Sequence, residues 1–351
     1  MASPISIIIV GAGPSGLILG LLLAKQGIRV QILDAANELN KQPRASHYGP
    51  PAVDELRRAG IVEDLDGTYI TGVKNKHTPA EQRMLCLPLD QLMQIIGKHI
   101  ARQPTAEILY SHKVVYYPDI EKFNWEDSNF IIHPEHCFMA AKIQTDGLYR
   151  VTYLEKSGLS REEYLERQPK KFETFLPGHP TPDKYNIVNF SPYKIHQRCA
   201  DKFRVGRFLL AADAAHLCNP FGGLGLTGGL VDVGNLYDCL YGIATGQADD
   251  SILDKYDTVR RQMYHEVIDP ISTSNLRRLL YTTEEEIEKD EFYNMVKRAE
   301  TDDEFSRQLQ TGINVIKHDF TQYYKQKPAV EAPTKDIRAE LPKPAVVSAE
   351  G

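Results

Sequence analysis

The chain opens with two apolar segments separated by a helical one. Residues 5–10 (ISIIIV) form a β-branched run that predicts a buried parallel strand. Residues 15–26 are rich in helix-forming side chains, and Gly27 follows them as a helix stop. A second apolar run at 28–33 predicts another strand, which ends at Asp34. The order strand, helix, strand predicts an α/β unit with two parallel strands.

A glycine-rich turn joins the first predicted strand to the helix, with Gly11, Gly13 and Gly16 in GxGxxG spacing. Gly11 makes the turn, Gly13 lets the backbone approach a pyrophosphate, and Gly16 lets helix and strand pack closely. The helix that begins at Ser15 offers free N–H groups to the phosphates, and Asp34 can accept from a ribose hydroxyl. The pattern predicts an adenine dinucleotide site, and by itself it leaves NAD and FAD open.

Further along, helical spacing and short alternating runs predict a mixed architecture. The predicted helices cover residues 51–60, 87–102 and 160–168, with Ser160 as N-cap, and a charge-rich helical region covers 252–297. The predicted strands cover 108–116, 129–132, 137–144, 148–154 and two runs within 185–198. Asp146-Gly147 is a hairpin signal between two of them, so the middle of the chain is expected to be mostly antiparallel.

A second strand–acid–loop–helix pattern follows at residues 206–235. Residues 208–211 predict a short buried strand that leads to Asp213, and 220–225 (PFGGLG) predict a glycine-rich loop before a helix at 226–240. The acid can bind a sugar-alcohol hydroxyl, the loop lets the backbone approach a flat ligand, and the helix start stabilises negative charge. This second pattern favours a flavin over a nicotinamide.

Composition narrows the function classes. The 351 residues have a formal net charge of -6, which argues against nucleic acid as a partner. Five scattered cysteines lack CxxC spacing, so we expect reduced thiols, a cytoplasmic location and no metal site. The apolar start is interrupted by glycines, so neither a signal peptide nor stable membrane insertion is expected. Residues after 325 are rich in Pro, Ala, Lys and Glu, which predicts a disordered tail.

Taken together, GAGPSGL, Arg44 in QPRA, and GRFLLAADAAHLCNPFGGLGLTGG resemble the FAD-dependent class A flavoprotein monooxygenases of the para-hydroxybenzoate hydroxylase type. The match runs from residue 5 to about residue 279. NFIIHPEH, GLYRVTY, LPGHP and SPYKIHQRCA resemble a branch common in fungal secondary metabolism. The fold that the resemblance implies is a Rossmann-like FAD domain interleaved with a mostly antiparallel substrate sheet, followed by C-terminal helices.

The resemblance implies segment boundaries and residue roles. The FAD domain would occupy 1–115 and 204–245, the substrate sheet 116–203, the C-terminal helices 246–326 and the tail 327–351. Asp34 would bind the adenosine ribose, Arg44 the pyrophosphate or the flavin side, and Asp213 a ribitol hydroxyl. The isoalloxazine would be lined by residues 220–226, which include Pro220, Gly222, Gly223, Gly225 and Leu226.

The implied reaction uses NAD(P)H to reduce the flavin and O2 to form a C4a-hydroperoxide, which hydroxylates an aromatic or enolic small molecule. Epoxidation and Baeyer–Villiger chemistry stay open. His136, Tyr149, Tyr193 and His196 are candidates for orienting the substrate, although a structural role is the simpler explanation for each. His216 is expected to be a structural turn residue bonded to backbone.

Two departures from the family pattern motivate an alternative prediction of the function. Ala212 stands before Asp213 where the family has Gly, and a strand ending in an Asp-Gly motif is absent between the helix at 87–102 and the central sheet. The alternative is a degenerate or truncated flavoprotein that binds FAD weakly without hydroxylase activity. An NAD-dependent dehydrogenase would account for residues 11–34 and would leave Asp213 and the glycines after Phe221 unexplained.

Overall fold

The structure is a computed structural model. It describes residues 6–36, 47–65, 85–87, 89–102, 128–131, 133, 136–142, 149–187, 190, 195–280 and 283–325. Several sequence-based predictions lie outside these residues: Arg44, Tyr193, the strand at 108–116, the Asp146-Gly147 turn and the tail at 327–351.

The N-terminal unit is the predicted strand–helix–strand. β1 (Ser6–Val10) and β2 (Arg29–Leu33) pair in parallel, with Ser6 opposite Arg29 and Val10 opposite Leu33. Between them, α1 (Pro14–Ala24) buries every residue from Leu17 to Ala24. A helix that is apolar all round must be enclosed by other elements, and α1 indeed contacts both α3 (Leu89–Ala101) and α5 (Leu224–Ala244).

The next elements complete the surroundings of α1. They are β3 (His47–Tyr48), α2 (Pro50–Arg58), β4 (Leu85–Cys86) and α3 (Leu89–Ala101). β3 and β4 form a short antiparallel pair. The buried apolar residues of α1, α2, α3 and α5 belong to one hydrophobic cluster. The two helices predicted at 51–60 and 87–102 are therefore present.

The middle of the chain forms the predicted antiparallel sheet. β5 (Ser128–Ile131), β6 (Phe138–Lys142) and β7 (Tyr149–Tyr153) are neighbours in that order. α4 (Arg161–Phe175) follows, and its start is closed by a capping box between Ser160 and Glu163. The helix was predicted to end at residue 168, before Pro169. It continues because Phe172 and Phe175 pack against Tyr153 and Phe138 of the sheet.

The C-terminal part combines short hairpin strands with helices. The strands are β8 (Arg198–Cys199), β9 (Arg204–Val205), β10 (Phe208–Leu209) and β11 (His216–Leu217), paired antiparallel as β8 with β11 and β9 with β10. The helices are α5 (Leu224–Ala244), α6 (Ile252–Met263), α7 (Asp269–Leu279), α8 (Glu284–Lys289), α9 (Glu291–Ala299) and α10 (Asp303–Thr311).

Two strand predictions were wrong in detail. Of 185–198 the structure describes 185–187, 190 and 195–198, and among these only Arg198 is in a strand, while Tyr185 packs against Phe172 of α4. The strand predicted at 208–211 is two residues long and is not buried at its start, since the exposed fraction of Phe208 is 82%. Within the described residues β1 pairs only with β2, and Val10 is 85% exposed.

Candidate cofactor site

The glycine turn after β1 has the shape that a pyrophosphate requires. The Gly11 N–H donates to the carbonyl of Leu33 at 2.7 Å, which ties the turn to the end of β2. A side chain at Gly16 would collide with the Gly11 carbonyl, so glycine is needed for the helix to approach the strand. A Cβ at Gly13 would meet nothing within 4 Å. No side chain caps α1, so its first N–H groups stay available for an anion.

Asp34 lies where β2 ends and braces the same turn. Its Oδ2 accepts from the Ala12 N–H at 2.6 Å, and its Oδ1 accepts from the Ala36 N–H at 2.7 Å. The side chain is exposed. A carboxylate has about four acceptor positions, so Asp34 can hold the turn and still accept from a ligand hydroxyl.

Asp213 sits in a 3₁₀ turn, Ala212–Ala214, and is exposed. The turn is closed by the Ala215 N–H, which donates to the Ala212 carbonyl at 2.8 Å. Ala212 has a φ of +55°, in the left-handed region that favours glycine. The position where this chain departs from the family's glycine is therefore one where the backbone itself favours glycine.

The loop before α5 is anchored at its base by Asn219. Its buried side-chain Nδ2 donates to the Ser272 carbonyl at 2.8 Å, and its Oδ1 accepts from the Phe221 N–H at 3.0 Å. Gln197 bonds both the backbone and the side chain of Asn219, and also the Ser272 hydroxyl at 3.1 Å. These bonds hold Pro220 and the following glycines in one conformation against α7.

At the end of this loop, α5 begins without a side-chain cap. Its N-cap is Gly223, with a φ of +65°, a conformation that glycine adopts without a steric penalty. Gly225 and Leu226 are half-buried in the first turn, and Gly222 is exposed before it. The uncapped N–H groups and the positive end of a 21-residue helix are suited to negative charge on a ligand.

The two motifs meet at Gly229 of α5. A Cβ at Gly229 would lie 2.7 Å from the Ala212 Cβ and 3.6 Å from the Ser15 Oγ. Ser15 belongs to the first turn of α1, and Ala212 precedes Asp213. The absence of a side chain at Gly229 therefore lets the dinucleotide turn and the Asp213 turn approach the same point on α5.

The proposed substrate-orienting residues fall into two groups. His136 stacks on His133 just before β6, with ring centroids 5.2 Å apart, and Tyr149 is in β7 of the same sheet. His196 is half-buried and precedes Gln197, which is bonded to the residue before Pro220. His196 and Pro220 therefore lie in one neighbourhood near the glycine loop, whereas His136 belongs to the separate three-stranded sheet.

Sequence reasoning missed a buried charged cluster below the Asp213 turn. The Asp232 carboxylate bonds Nε of Arg260 at 2.6 Å, Nε2 of His216 at 2.8 Å and the Ala212 N–H at 3.0 Å. His216 was expected to bond to backbone, but its Nε2 pairs with the Asp232 carboxylate, which corrects the prediction. The available signal was one acid inside the apolar helical run GLVDVGN.

Comparison with known proteins agrees with this geometry. The model of a family described as an FAD binding domain matches residues 5–115 and 154–270. A para-nitrophenol 4-monooxygenase from Pseudomonas sp. strain WBC-3 is 30% identical, over 77% of this chain and 86% of its own length. The chain belongs to the family of FAD-dependent aromatic hydroxylases. It is thus an FAD-dependent monooxygenase, with FAD as its cofactor.

Three further proteins are similar to this chain in sequence or in fold. The 6-hydroxy-3-succinoylpyridine 3-monooxygenase of Pseudomonas putida strain S16 is 28% identical, over 78% of this chain and 89% of its own length. The crystal structure of p-nitrophenol 4-monooxygenase from Pseudomonas putida DLL-E4 has a TM-score of 0.79 at 27% identity, covering 88% of this chain and 97% of that one. A ternary complex of aklavinone-11 hydroxylase, at 18% identity and TM-score 0.63, supports the fold alone.

The residues present fit FAD at both ends. Two helices begin without side-chain caps, α1 after Gly13 and α5 after Gly223. Exposed carboxylates stand beside both turns, and the position of a Cβ on Gly13 is open. Carboxylate acceptors of this kind would suit ribose and ribitol hydroxyls, and free N–H groups at helix starts would suit phosphates. None of the helices in the described part of the chain is long and apolar enough to cross a bilayer.

Proposed function

We propose that this monooxygenase hydroxylates a small aromatic ring that already carries a hydroxyl group, with NAD(P)H and O2 as co-substrates. Two relatives similar over most of this chain support this class by their names, which specify a nitrophenol and a hydroxypyridine. Enolic substrates are the wider version of the same class, because both present an electron-rich carbon. A role in fungal secondary metabolism stays a prediction, as does a cytoplasmic location, which the four free cysteines of the described residues favour.

The single observation that supports the site assignment is the meeting of Ser15 and Ala212 at Gly229. It brings the α1 turn and the Asp213 turn to the same part of α5, as binding one extended cofactor to both would require. We assign the adenosine and pyrophosphate end to Gly11, Gly13, Ser15, Gly16 and Asp34. We assign the ribityl and flavin end to Asp213, Gly222, Gly223, Gly225 and Leu226.

Arg44 is proposed to contact the pyrophosphate or the flavin side. It lies outside the described residues. Residues 47–49, which follow it in sequence, lie beside the start of α5, next to the glycine-rich loop at 220–225. The His47 carbonyl lies 3.9 Å from the position of a Cβ on Gly223, and the Gly49 N–H donates to the Thr227 Oγ1 at 3.2 Å. Residues 47–49 therefore run alongside the start of α5.

When bound, reduced FAD supplies the electrons and the activation of O2. The protein's part is binding, orientation and the exclusion of water. The positive end of α5 would favour the anionic reduced form of the ring, and the loop held by Asn219 would contribute to the surface that holds it. We propose Pro220 and His196 as substrate contacts, because Gln197, next to His196, is bonded to Asn219, next to Pro220; His196 would donate or accept a hydrogen bond with the substrate hydroxyl. His136 and Tyr193 remain weaker candidates for the same task.

The test is to add FAD to the purified chain, desalt it, and record the visible absorption. Retention of about one flavin per chain is expected. NADPH oxidation is then followed with para-nitrophenol and with a hydroxypyridine as probes, under ¹⁸O₂, with product mass as the readout. Incorporation of one labelled oxygen into either probe supports the proposal. Flavin retention without labelled product from any hydroxylated ring would exclude the proposed substrate class.

A weakly binding flavoprotein without hydroxylase activity is the second candidate. It is favoured by the left-handed Ala212 and by the exposed edges at Val10 and Phe208. The alignments with the two relatives span 347 and 352 positions, but they include only 77% and 78% of the 351 residues of this chain. The relatives therefore have residues with no counterpart here. A colourless protein after desalting would support this candidate.

A further inference from the structure

The Asp232 carboxylate lies directly below the turn that presents Asp213. Asp232 belongs to α5 and is fully buried. Its Oδ2 accepts from the Ala212 N–H at 3.0 Å and lies 2.8 Å from Nε2 of His216. Its Oδ1 accepts from Nε of Arg260 at 2.6 Å. One carboxylate therefore connects α5, the Asp213 turn, β11 and α6.

This carboxylate remains charged although it is buried. Burial alone would raise the pKa of Asp232, but Arg260 and His216 outweigh it and leave the pKa below its ordinary value. Arg260 is itself fully buried, and its second contact is a donor bond to the Ile316 carbonyl at 2.6 Å. Charged hydrogen bonds inside a protein are strong and directional. The cluster is thus a buried, hydrogen-bonded support and not a solvent-exposed ion pair.

The group that this support holds is strained. Ala212 has a φ of +55°, which an alanine adopts only when its surroundings impose it. Its N–H bond to Asp232 is the contact that ties this backbone to α5. The next residue is Asp213, so the orientation of Ala212 sets the direction in which Asp213 projects.

We propose that Asp232 is a positioning residue for FAD, which acts through the Ala212 N–H and His216 to orient Asp213 towards the ribityl end of the cofactor. This inference rests on the role proposed above for Asp213. Asp232 is enclosed by protein, so its effect on the cofactor would be indirect. The effect is confined to the flavin half, since the adenosine half is held by the α1 turn and Asp34.

The chain offers a matched control for Asp232 on the same helix. Asp238 is also buried in α5 and also pairs with an arginine, Arg58. It faces α2 and has no bond to the Asp213 turn. Asp232→Asn and Asp238→Asn each remove the charge of one buried α5 aspartate that pairs with an arginine, but only the first weakens the support of Ala212.

The experiment compares FAD and ADP affinities of the wild type, Asp232→Asn, Asp238→Asn and Asp213→Ala. Asp232→Asn is expected to weaken FAD binding by roughly tenfold, as for loss of one charged hydrogen bond, and to leave ADP binding unchanged. Asp238→Asn is expected to leave the ratio of the two affinities unchanged. Adding Asp232→Asn to Asp213→Ala should cost no further FAD affinity, because the positioned group is already gone.

Each failure has its own pattern. If Asp213→Ala binds FAD as the wild type does, the role of Asp213 is wrong. If Asp213→Ala weakens FAD but Asp232→Asn does not, or lowers ADP and FAD equally, the positioning role of Asp232 is overturned. If Asp232→Asn does not fold, His216→Gln is the second variant, because it removes the His216 bond to the same carboxylate and keeps the Arg260 pair. His216→Gln is expected to weaken FAD binding and not ADP binding. FAD and ADP affinities equal to those of the wild type would overturn the inference.

Discussion

Ala212 carries a backbone cost that the rest of the site has to offset. A left-handed φ is unfavourable for alanine by about 1 kcal/mol, and glycine adopts it freely. The methyl group of Ala212 is accommodated only because Gly229 has no side chain. Strain and close packing therefore coincide at the residue before Asp213.

We predict that Ala212→Gly raises the free energy of unfolding by about 1 kcal/mol and does not weaken FAD binding. The reason is that the left-handed conformation no longer has to be forced. Urea unfolding and FAD titration are the measurements. Gly229→Ala is the complementary change: its Cβ would lie 2.7 Å from the Ala212 Cβ, so it should destabilise the wild type more than the Ala212→Gly variant. Equal costs in both backgrounds would contradict this packing.

At the scale of elements, the contact between α2 and α5 contains a buried acid. Glu55 of α2 lies against Gly234 of α5, where any side chain would collide with its carboxylate. Burial raises the pKa of Glu55 to about 7, although Arg58 acts in the opposite direction. The native state therefore holds this proton more tightly than the unfolded chain.

The pKa of Glu55 is about 7 in the native state and 4.5 in its ordinary state. The stability that Glu55 contributes is therefore fully present below the ordinary pKa, and it is lost as the pH rises through the native pKa. Glu55→Gln should raise the free energy of unfolding by about 1–3 kcal/mol at about pH 8 and flatten its decline between the two values. Unfolding curves across this range test the idea. The exposed Glu166→Gln is the control, and a parallel pH dependence in both variants would contradict it.

At the scale of the whole molecule, the open strand edges are the main liability. Ile8, Val10, Val205 and Phe208 are exposed on β1, β9 and β10, with fractions from 61% to 85%. Edge strands with apolar side chains promote association with other chains.

We predict that Phe208→Thr reduces light scattering on heating and changes the free energy of unfolding by less than about 0.5 kcal/mol, because an exposed side chain contributes little packing. Phe203, before the same hairpin, is fully buried and serves as the contrast. Phe203→Ala should cost about 3–5 kcal/mol. Similar losses of stability for both variants would mean that Phe208 is covered in solution.

Local features of the chain were sufficient for much of this description. The first strand, α1 and β2 are confirmed at nearly the predicted boundaries, because β-branched runs, helix formers and glycines act over a few residues. The FAD-dependent hydroxylase family was also apparent from two motifs. The antiparallel pairing of β5, β6 and β7 followed from alternation and turn signals.

Tertiary structure decided how these parts combine. α4 runs past Pro169 because distant aromatic residues of the sheet pack on its last turns. Ser15 and Ala212 are far apart in sequence, yet both lie against Gly229 of α5. Asp232 is bonded to His216 and Arg260 by the packing of α5, β11 and α6, and a lone acid in an apolar run does not name its partners. The motifs are encoded by residues that are close in sequence. The buried bonds and packing that hold these motifs in place depend on contacts between segments that are separated in sequence.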